Sequence, residues 1–257
     1  MKKVALILCY DGSSYYGWQR QAGLLTVQER LENALASIAE HEIDLYGGGR
    51  TDAGVHALFQ VAHFSTTKEV DKKAWSYGLN AILPAEIRIL KALQVDHEFH
   101  ARFSAESRHY CFLLLCNQKI ANPFLAKRVV SIREDLDHEA MKSGAKHLLG
   151  SHDFESFRSA KCQSQTSLRN VIALEIKREG DLIKFDIIAN AFLYNMVRNI
   201  VGSLIEVGKG KREPDWILEI LKKRDRNSAG AKVKPHGLYL AKISYPEKFL
   251  IHRSESV

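Results

Sequence analysis

The chain has 257 residues, 46% of them hydrophobic and 26% charged, with a formal net charge of +7. That length holds one large domain or two modest ones, and no apolar run approaches the ~20 residues needed to span a bilayer as a helix. Residues 1–105 carry 11 Lys and Arg against 12 Asp and Glu, whereas residues 106–257 carry 26 against 18, and a basic half points to a polyanionic partner such as RNA or DNA.

The run from Val4 to Cys9 reads as a first strand. Its charged start resembles that of a secretory signal, but it ends at Tyr10-Asp11-Gly12 without a small-residue cleavage site. Thr26-Val27-Gln28-Glu29 is a capping box, and Val27, Leu31, Ala34, Leu35 and Ile38 then fall on one helical face. Short strands are expected near 42–46 and 57–65, and a second helix from about Asp71, with Trp75, Leu79 and Ile82 at helical spacing. Residues 87–96 return as a strand. The order is strand-helix-strand-strand-helix-strand.

The second half repeats it. Tyr110 to Cys116 is a continuous apolar strand, followed by a helix from about Asp137 to Leu149. Two strands, 170–178 and 182–190, are joined by a turn at Glu179-Gly180-Asp181. In the strongest helical pattern of the chain, Leu193, Met196, Val197, Ile200, Val201, Leu204 and Ile205 form a broad apolar face. A short helix from Pro214 and a strand at 238–244 complete the plan. The fold class expected is therefore α+β, with two ferredoxin-like halves, residues 1–105 and 106–257, each an antiparallel or mixed sheet with helices on one face. The free faces then form a central RNA-binding cleft.

Cys9, Cys111, Cys116 and Cys162 make no C-x-x-C pair and sit mostly in apolar runs, as reduced thiols of a cytoplasmic protein do. The eleven histidines lack a usable ligand spacing; His97 and His100 are three apart, but no Cys or carboxylate constellation surrounds them. No metal is expected.

The densest chemistry lies in Gly47-Gly48-Gly49-Arg50-Thr51-Asp52-Ala53-Gly54-Val55-His56-Ala57. Four glycines place a carboxylate, a guanidinium and an imidazole on a bend where a ligand can approach the backbone closely. Local composition alone equally allows a solvated hairpin turn. The string resembles the catalytic loop of the TruA family of tRNA pseudouridine synthases, in which the Asp of G-R-T-D-A-G-V-H-A is the essential residue. Tyr10-Asp11-Gly12 with Gly17-Trp18-Gln19 is similar to the family's opening motif. Phe99-His100-Ala101-Arg102-Phe103-Ser104 with Arg108-His109-Tyr110 is similar to its second, and the run from Asn190 to Gly202 to its third. Pro235-His236-Gly237-Leu238-Tyr239-Leu240 is similar to its last. The matches run in order from about residue 4 to about residue 245; one departure is Ala191, where the family usually has Gly.

The resemblance implies an isomerase that converts uridine to pseudouridine at positions 38, 39 and 40 of the tRNA anticodon stem-loop. It also implies no cofactor or metal, and a homodimer that grips the tRNA. Asp52 would be the catalytic carboxylate, acting as nucleophile or base at the sugar or the uracil ring. Arg198 would pair with Asp52; pattern alone would have it snorkel from the margin of its helix. Arg50 would face the RNA, and Tyr110 would stack on the target uracil, although an apolar strand usually makes such a tyrosine core. His56 has no assigned role. RNA affinity would come from nine Lys and Arg against four acids in residues 209–234. A non-catalytic RNA-binding protein made of two such modules would share the charge and fold, but would not need Asp52. A glycoside hydrolase would need a second carboxylate, which the neighbourhood of Asp52 lacks in sequence.

Overall fold

In the computed structural model, which describes residues 1–71, 73–120, 122–160 and 162–251, the first apolar run becomes β1 (Lys2–Tyr10), with Val4 to Leu8 buried. Helix α1 (Val27–Ala39) starts where the capping box placed it, the Thr26 side chain accepting the Glu29 N–H. It buries Val27, Leu31, Ala34 and Leu35. The strand expected at 42–46 shrinks to β2 (Tyr46–Gly47), and β3 (His56–Thr66) runs one residue past the expected segment at each end.

The helix expected from Asp71 is a π-turn, Ala74–Gly78, that runs into α2 (Leu79–Ile82); Lys72, in its expected first turn, lies outside the described residues. Trp75 and Leu79 are buried, but Ile82 is 52% exposed. The wider π winding breaks the 3.6-residue period that grouped the three. Strand β4 (Ile87–Val95) closes this part. β1 lies antiparallel to both β3 and β4, and β2 pairs with β3 through Tyr46 and His63. The order β4-β1-β3-β2 is that of a ferredoxin-like unit with a truncated last strand.

The second part opens with β5 (Ser107–Leu115), flanked by the two-residue β6 (Val130–Ser131). Helix α3 (His138–Lys146) is capped by Asp137, which accepts the Glu139 and Ala140 N–H groups. β7 (Gly150–Asp153), β8 (Leu168–Glu179) and β9 (Leu182–Ala189) follow. The antiparallel order is β5-β9-β8-β7, with Tyr110 opposite Ile187. β6 and β7 have no counterpart in the sequence reading, because pairs this short carry no alternation.

Helix α4 (Met196–Gly208) begins three residues after Leu193, the first residue of its expected apolar face, because Asn195 takes the left-handed conformation at φ 62°. It is buried on almost every side rather than on one face; among its residues only Glu206 escapes. Helix α5 (Trp216–Lys223) follows Pro214, and β10 (Leu238–Ser244) is the last strand.

The chain divides into two compact units, Met1–Ser107 with the residues from Tyr239 onward, and Arg108–Leu238. The expected halves were 1–105 and 106–257. The difference at the end of the chain arises because β10 lies parallel to β3, with Tyr239 beside His56 and Leu240 beside Ala57. Residues 252–257 of the expected second half lie outside the described residues. No helix among the described residues is long and apolar enough to cross a membrane.

Candidate active site

The loop from Gly47 to Val55 belongs to the first unit, and its backbone is tied down on both sides of Asp52. The Thr51 carbonyl accepts the Trp18 N–H at 3.0 Å, and the Asp52 carbonyl accepts the Val55 N–H at 3.1 Å. Gly54, at φ 77°, donates its N–H to the Tyr15 carbonyl at 3.2 Å. Asp52 is half-buried on this fixed turn, while Arg50 is exposed. Burial, and then repulsion from Arg102, pulls the Arg50 pKa below its ordinary value.

Two glycines of the opening motif allow the segment 10–18 to lie against the loop. A Cβ on Gly12 would sit 1.9 Å from the Val55 carbonyl oxygen. One on Gly17, itself at φ 90°, would sit 2.5 Å from the Thr51 oxygen. Neither contact can relax, because the opposing atoms are backbone. The opening motif is therefore the bed on which the Asp52 turn rests.

Beneath the turn lies a buried polar chain that the sequence reading did not single out. Gln60, fully buried on β3, accepts the Gly49 N–H on Oε1 at 3.1 Å and donates from Nε2 to the Gly49 carbonyl at 2.6 Å. Its amide thus stands in for a neighbouring strand. The same Nε2 lies 3.5 Å from the Tyr10 hydroxyl, which makes a 2.7 Å hydrogen bond with the Thr51 hydroxyl. Burial pushes the Tyr10 phenol up to about 12, against the lowering effect of its Thr51 and Gln60 hydrogen bonds, so it stays protonated. Removing the Gln60 amide would leave the half-buried Gly49 N–H and carbonyl without this partner, at up to about 1–3 kcal/mol each. The available signal was a lone Gln inside the apolar run Leu58 to Phe64, a buried polar group that must find partners.

His56, 2% exposed, stacks on Tyr239 with ring centroids 4.7 Å apart. Its Nδ1 lies 3.2 Å from both the Gly12 N–H and an Asp11 carboxylate oxygen. The imidazole thus joins the strand that follows the loop to the opening motif.

Tyr110 and Arg198 belong to the second unit. Tyr110 is 7% exposed and meets Phe192 edge-on, centroids 5.0 Å apart at 84°. Arg198 is 8% exposed, so it does not snorkel into solvent. Its Nε donates to the Val233 carbonyl at 2.9 Å and its Nη1 to Asn195 Oδ1 at 2.8 Å, which fixes the plane of the guanidinium. The left-handed Asn195 that stops α4 from starting earlier also orients this arginine.

The basic segment 209–234 is anchored to the same helix. Arg226 donates to Asn199 Oδ1 at 3.0 Å, the Gly230 N–H donates to the Ser203 hydroxyl at 2.9 Å, and Arg198 holds Val233. Seven of its nine cations, Lys211, Arg212, Lys222, Lys223, Arg224, Lys232 and Lys234, are exposed. Lys209 pairs with Glu134 at 2.9 Å. None of the four cysteines forms a disulfide; burial raises Cys111 and Cys116 to about 11, which keeps both as thiols.

A family model described as "tRNA pseudouridine synthase" matches residues 7–104 and 145–246. The chain is 49% identical over 247 residues to "tRNA pseudouridine synthase A" of Haemophilus influenzae (strain PittGG), covering 96% of this chain and 91% of that protein. It is 45% identical over 253 residues to the protein of the same name from Coxiella burnetii (strain Dugway 5J108-111), covering 98% and 97%. A solved H/ACA RNP bound to a substrate RNA containing 2'-deoxyuridine aligns with 79% of this chain and 44% of that one, at 13% identity and a TM-score of 0.38. That likeness is too distant to carry geometry across.

Proposed function

This chain belongs to the tRNA pseudouridine synthase family and isomerises uridine to pseudouridine in tRNA, and we propose that Asp52 is its catalytic carboxylate and that its targets lie in the anticodon arm. The observation that carries this reading is the Asp52 turn, fixed on both sides by backbone hydrogen bonds and bedded on Gly12 and Gly17. A carboxylate held this way on a rigid scaffold is pre-organised for chemistry.

The reaction breaks the C1′–N1 glycosidic bond, turns the uracil and joins C1′ to C5. The C5 proton is lost and N1 gains one, so the change is an isomerisation. No electrons are gained or lost, and the chain's own residues suffice. The target nucleotide must first leave its stack. Asp52 then acts as nucleophile or base at the sugar or the ring. Tyr110 stacks on the displaced uracil, an assignment supported by the family's second motif and by the edge contact with Phe192 that fixes the ring. Arg198 supplies a cation to Asp52, and Arg50, exposed two residues before the carboxylate, meets the RNA. The seven exposed cations of 209–234 hold phosphates by charge and shape rather than by reading bases.

Unmodified tRNA incubated with the purified chain is expected to acquire pseudouridine at positions 38–40, mapped by carbodiimide-blocked primer extension. Modification confined to another arm would overturn the target assignment. We place the protein in the cytoplasm, in keeping with cysteines that form no disulfide. From the family resemblance we take it to be a homodimer, the tRNA elbow and anticodon arm being far apart for one small subunit to grip. Light scattering is expected to give twice the 29.1 kDa chain mass, and a monomer at working concentration would count against it.

A further inference from the structure

The first stretch of the second family motif, Phe99 to Ser104, supplies no group to the chemistry above, yet it builds an unusual surface. Four rings follow one another in the first unit. Tyr46 stacks on His63 at 5.2 Å and 26°, His63 meets His100 edge-on at 4.6 Å, and His100 meets Phe103 at 4.4 Å. The inner rings are buried or half-buried, but Tyr46 is 50% exposed and Phe103 75% exposed. Leaving two large aromatic rings in water is costly unless something covers them.

The turn that carries Phe103 is rigid. His100 Nδ1 accepts the N–H groups of Arg102 and Phe103 at 3.1 and 3.3 Å, and the Ser104 hydroxyl accepts the His100 N–H at 3.0 Å. His63 Nδ1 accepts the Ala101 N–H at 3.1 Å. Burial, together with His100 and Lys3, lowers His63 to about 4, and burial with Lys3 and Arg102 lowers His100. Both imidazoles are therefore neutral aromatic rings at neutral pH, and the cations of this surface are the guanidinium and ammonium groups around it. The Arg102 guanidinium lies 5.4 Å from the Phe103 centroid, and Arg102 and Arg50 repel each other electrostatically.

This turn also abuts the catalytic loop. A Cβ on Gly48 would lie 2.9 Å from the Ala101 carbonyl oxygen, so the start of the Asp52 loop and the motif turn pack backbone against backbone. We propose that Tyr46, His100 and Phe103, rimmed by Arg50 and Arg102, form a stacking platform for an unpaired nucleotide next to the target uridine. Exposed π faces take any base, guanidiniums take its phosphate, and that pairing of chemistries selects single-stranded RNA over an apolar protein partner. The proposal rests on the functional reading above, since the platform matters only beside a site that acts on RNA.

The test uses the full chain and unmodified tRNA, measuring dissociation constant, KM and kcat. Phe103→Ala is expected to weaken tRNA binding about tenfold and to raise KM correspondingly. Phe103→Leu should behave like Phe103→Ala, whereas Phe103→Tyr, which keeps the ring, should bind like wild type. Arg102→Gln should reduce the slope of log affinity against log salt by about one. A Phe103→Ala variant with wild-type affinity and KM overturns the platform and leaves the functional reading standing. A Phe103→Ala variant that keeps its tRNA affinity but becomes monomeric by light scattering overturns it in favour of a second copy of this chain. If the wild type makes no pseudouridine but its tRNA affinity falls in Phe103→Ala, the functional reading fails while the RNA platform holds.

Discussion

Asp52→Asn is expected to lower pseudouridine formation by roughly 10⁴-fold or more, the range seen when a group that acts directly in chemistry is removed. The amide keeps the shape of the side chain and loses its charge, so it can neither attack as a nucleophile nor take a proton. The turn itself should keep its shape. The turn is held by the backbone of Thr51, Asp52, Gly54 and Val55, and by the Thr51 hydroxyl, none of which the substitution removes. Neutralising Asp52 removes the proposed partner of the buried Arg198 guanidinium, so thermal melts should show a loss of at most about 3–5 kcal/mol. Affinity for tRNA should change only severalfold, because the proposed phosphate contacts lie with the exposed cations of 209–234. Asp52→Ala, which cannot revert by deamidation, is the control for trace activity. Single-turnover rates on saturating enzyme, with thermal melts of each variant, decide the matter. Turnover within tenfold of wild type by either variant would remove Asp52 from the chemistry.

The turn around Asp52 was legible in the sequence because its glycines, Arg50 and Asp52 lie within a few consecutive residues. What holds the turn was legible only as motif. Tyr10-Asp11-Gly12 and Gly17-Trp18-Gln19 were visible as a resemblance, but their contact with Thr51 and Val55 closes over some forty residues. Nothing local announces a contact at that separation. Gln60 was hidden for a different reason: within Leu58 to Phe64 it reads as one polar position of a strand, and only its burial shows that it replaces a strand partner for Gly49. Long periodic elements such as α1 and β8–β9 were placed within a few residues. The pieces that failed were those where one residue changes the winding or the pairing, as in the π-turn after Lys73 and the left-handed Asn195. The ring chain from Tyr46 to Phe103 spans three separate segments, and only the last of them, with His100 and Phe103, was visible as motif.

Arg198→Ala is expected to move the acid limb of the pH–rate profile upward by about 1–3 pH units, the size of shift that one adjacent opposite charge produces. The sign follows from which form is active. In the proposed role Asp52 works ionised; a cation paired with it would favour the ionised form, and removing that cation would disfavour it. Activity should therefore fall most at low pH and recover in part as pH rises. The substitution has a second consequence, since Arg198 also donates to the Val233 carbonyl and to Asn195 Oδ1. Losing both will loosen the end of the basic segment and weaken tRNA binding. Rates are therefore measured on pre-bound tRNA, where affinity drops out. Arg198→Lys separates the two effects: an ammonium keeps the charge, so the acid limb should stay near its wild-type position. It cannot reproduce the guanidinium's several fixed hydrogen bonds, so the plateau rate should remain depressed. An Arg198→Ala profile with an unshifted acid limb and weakened tRNA binding would end the ion-pair assignment and make Arg198 a phosphate contact instead.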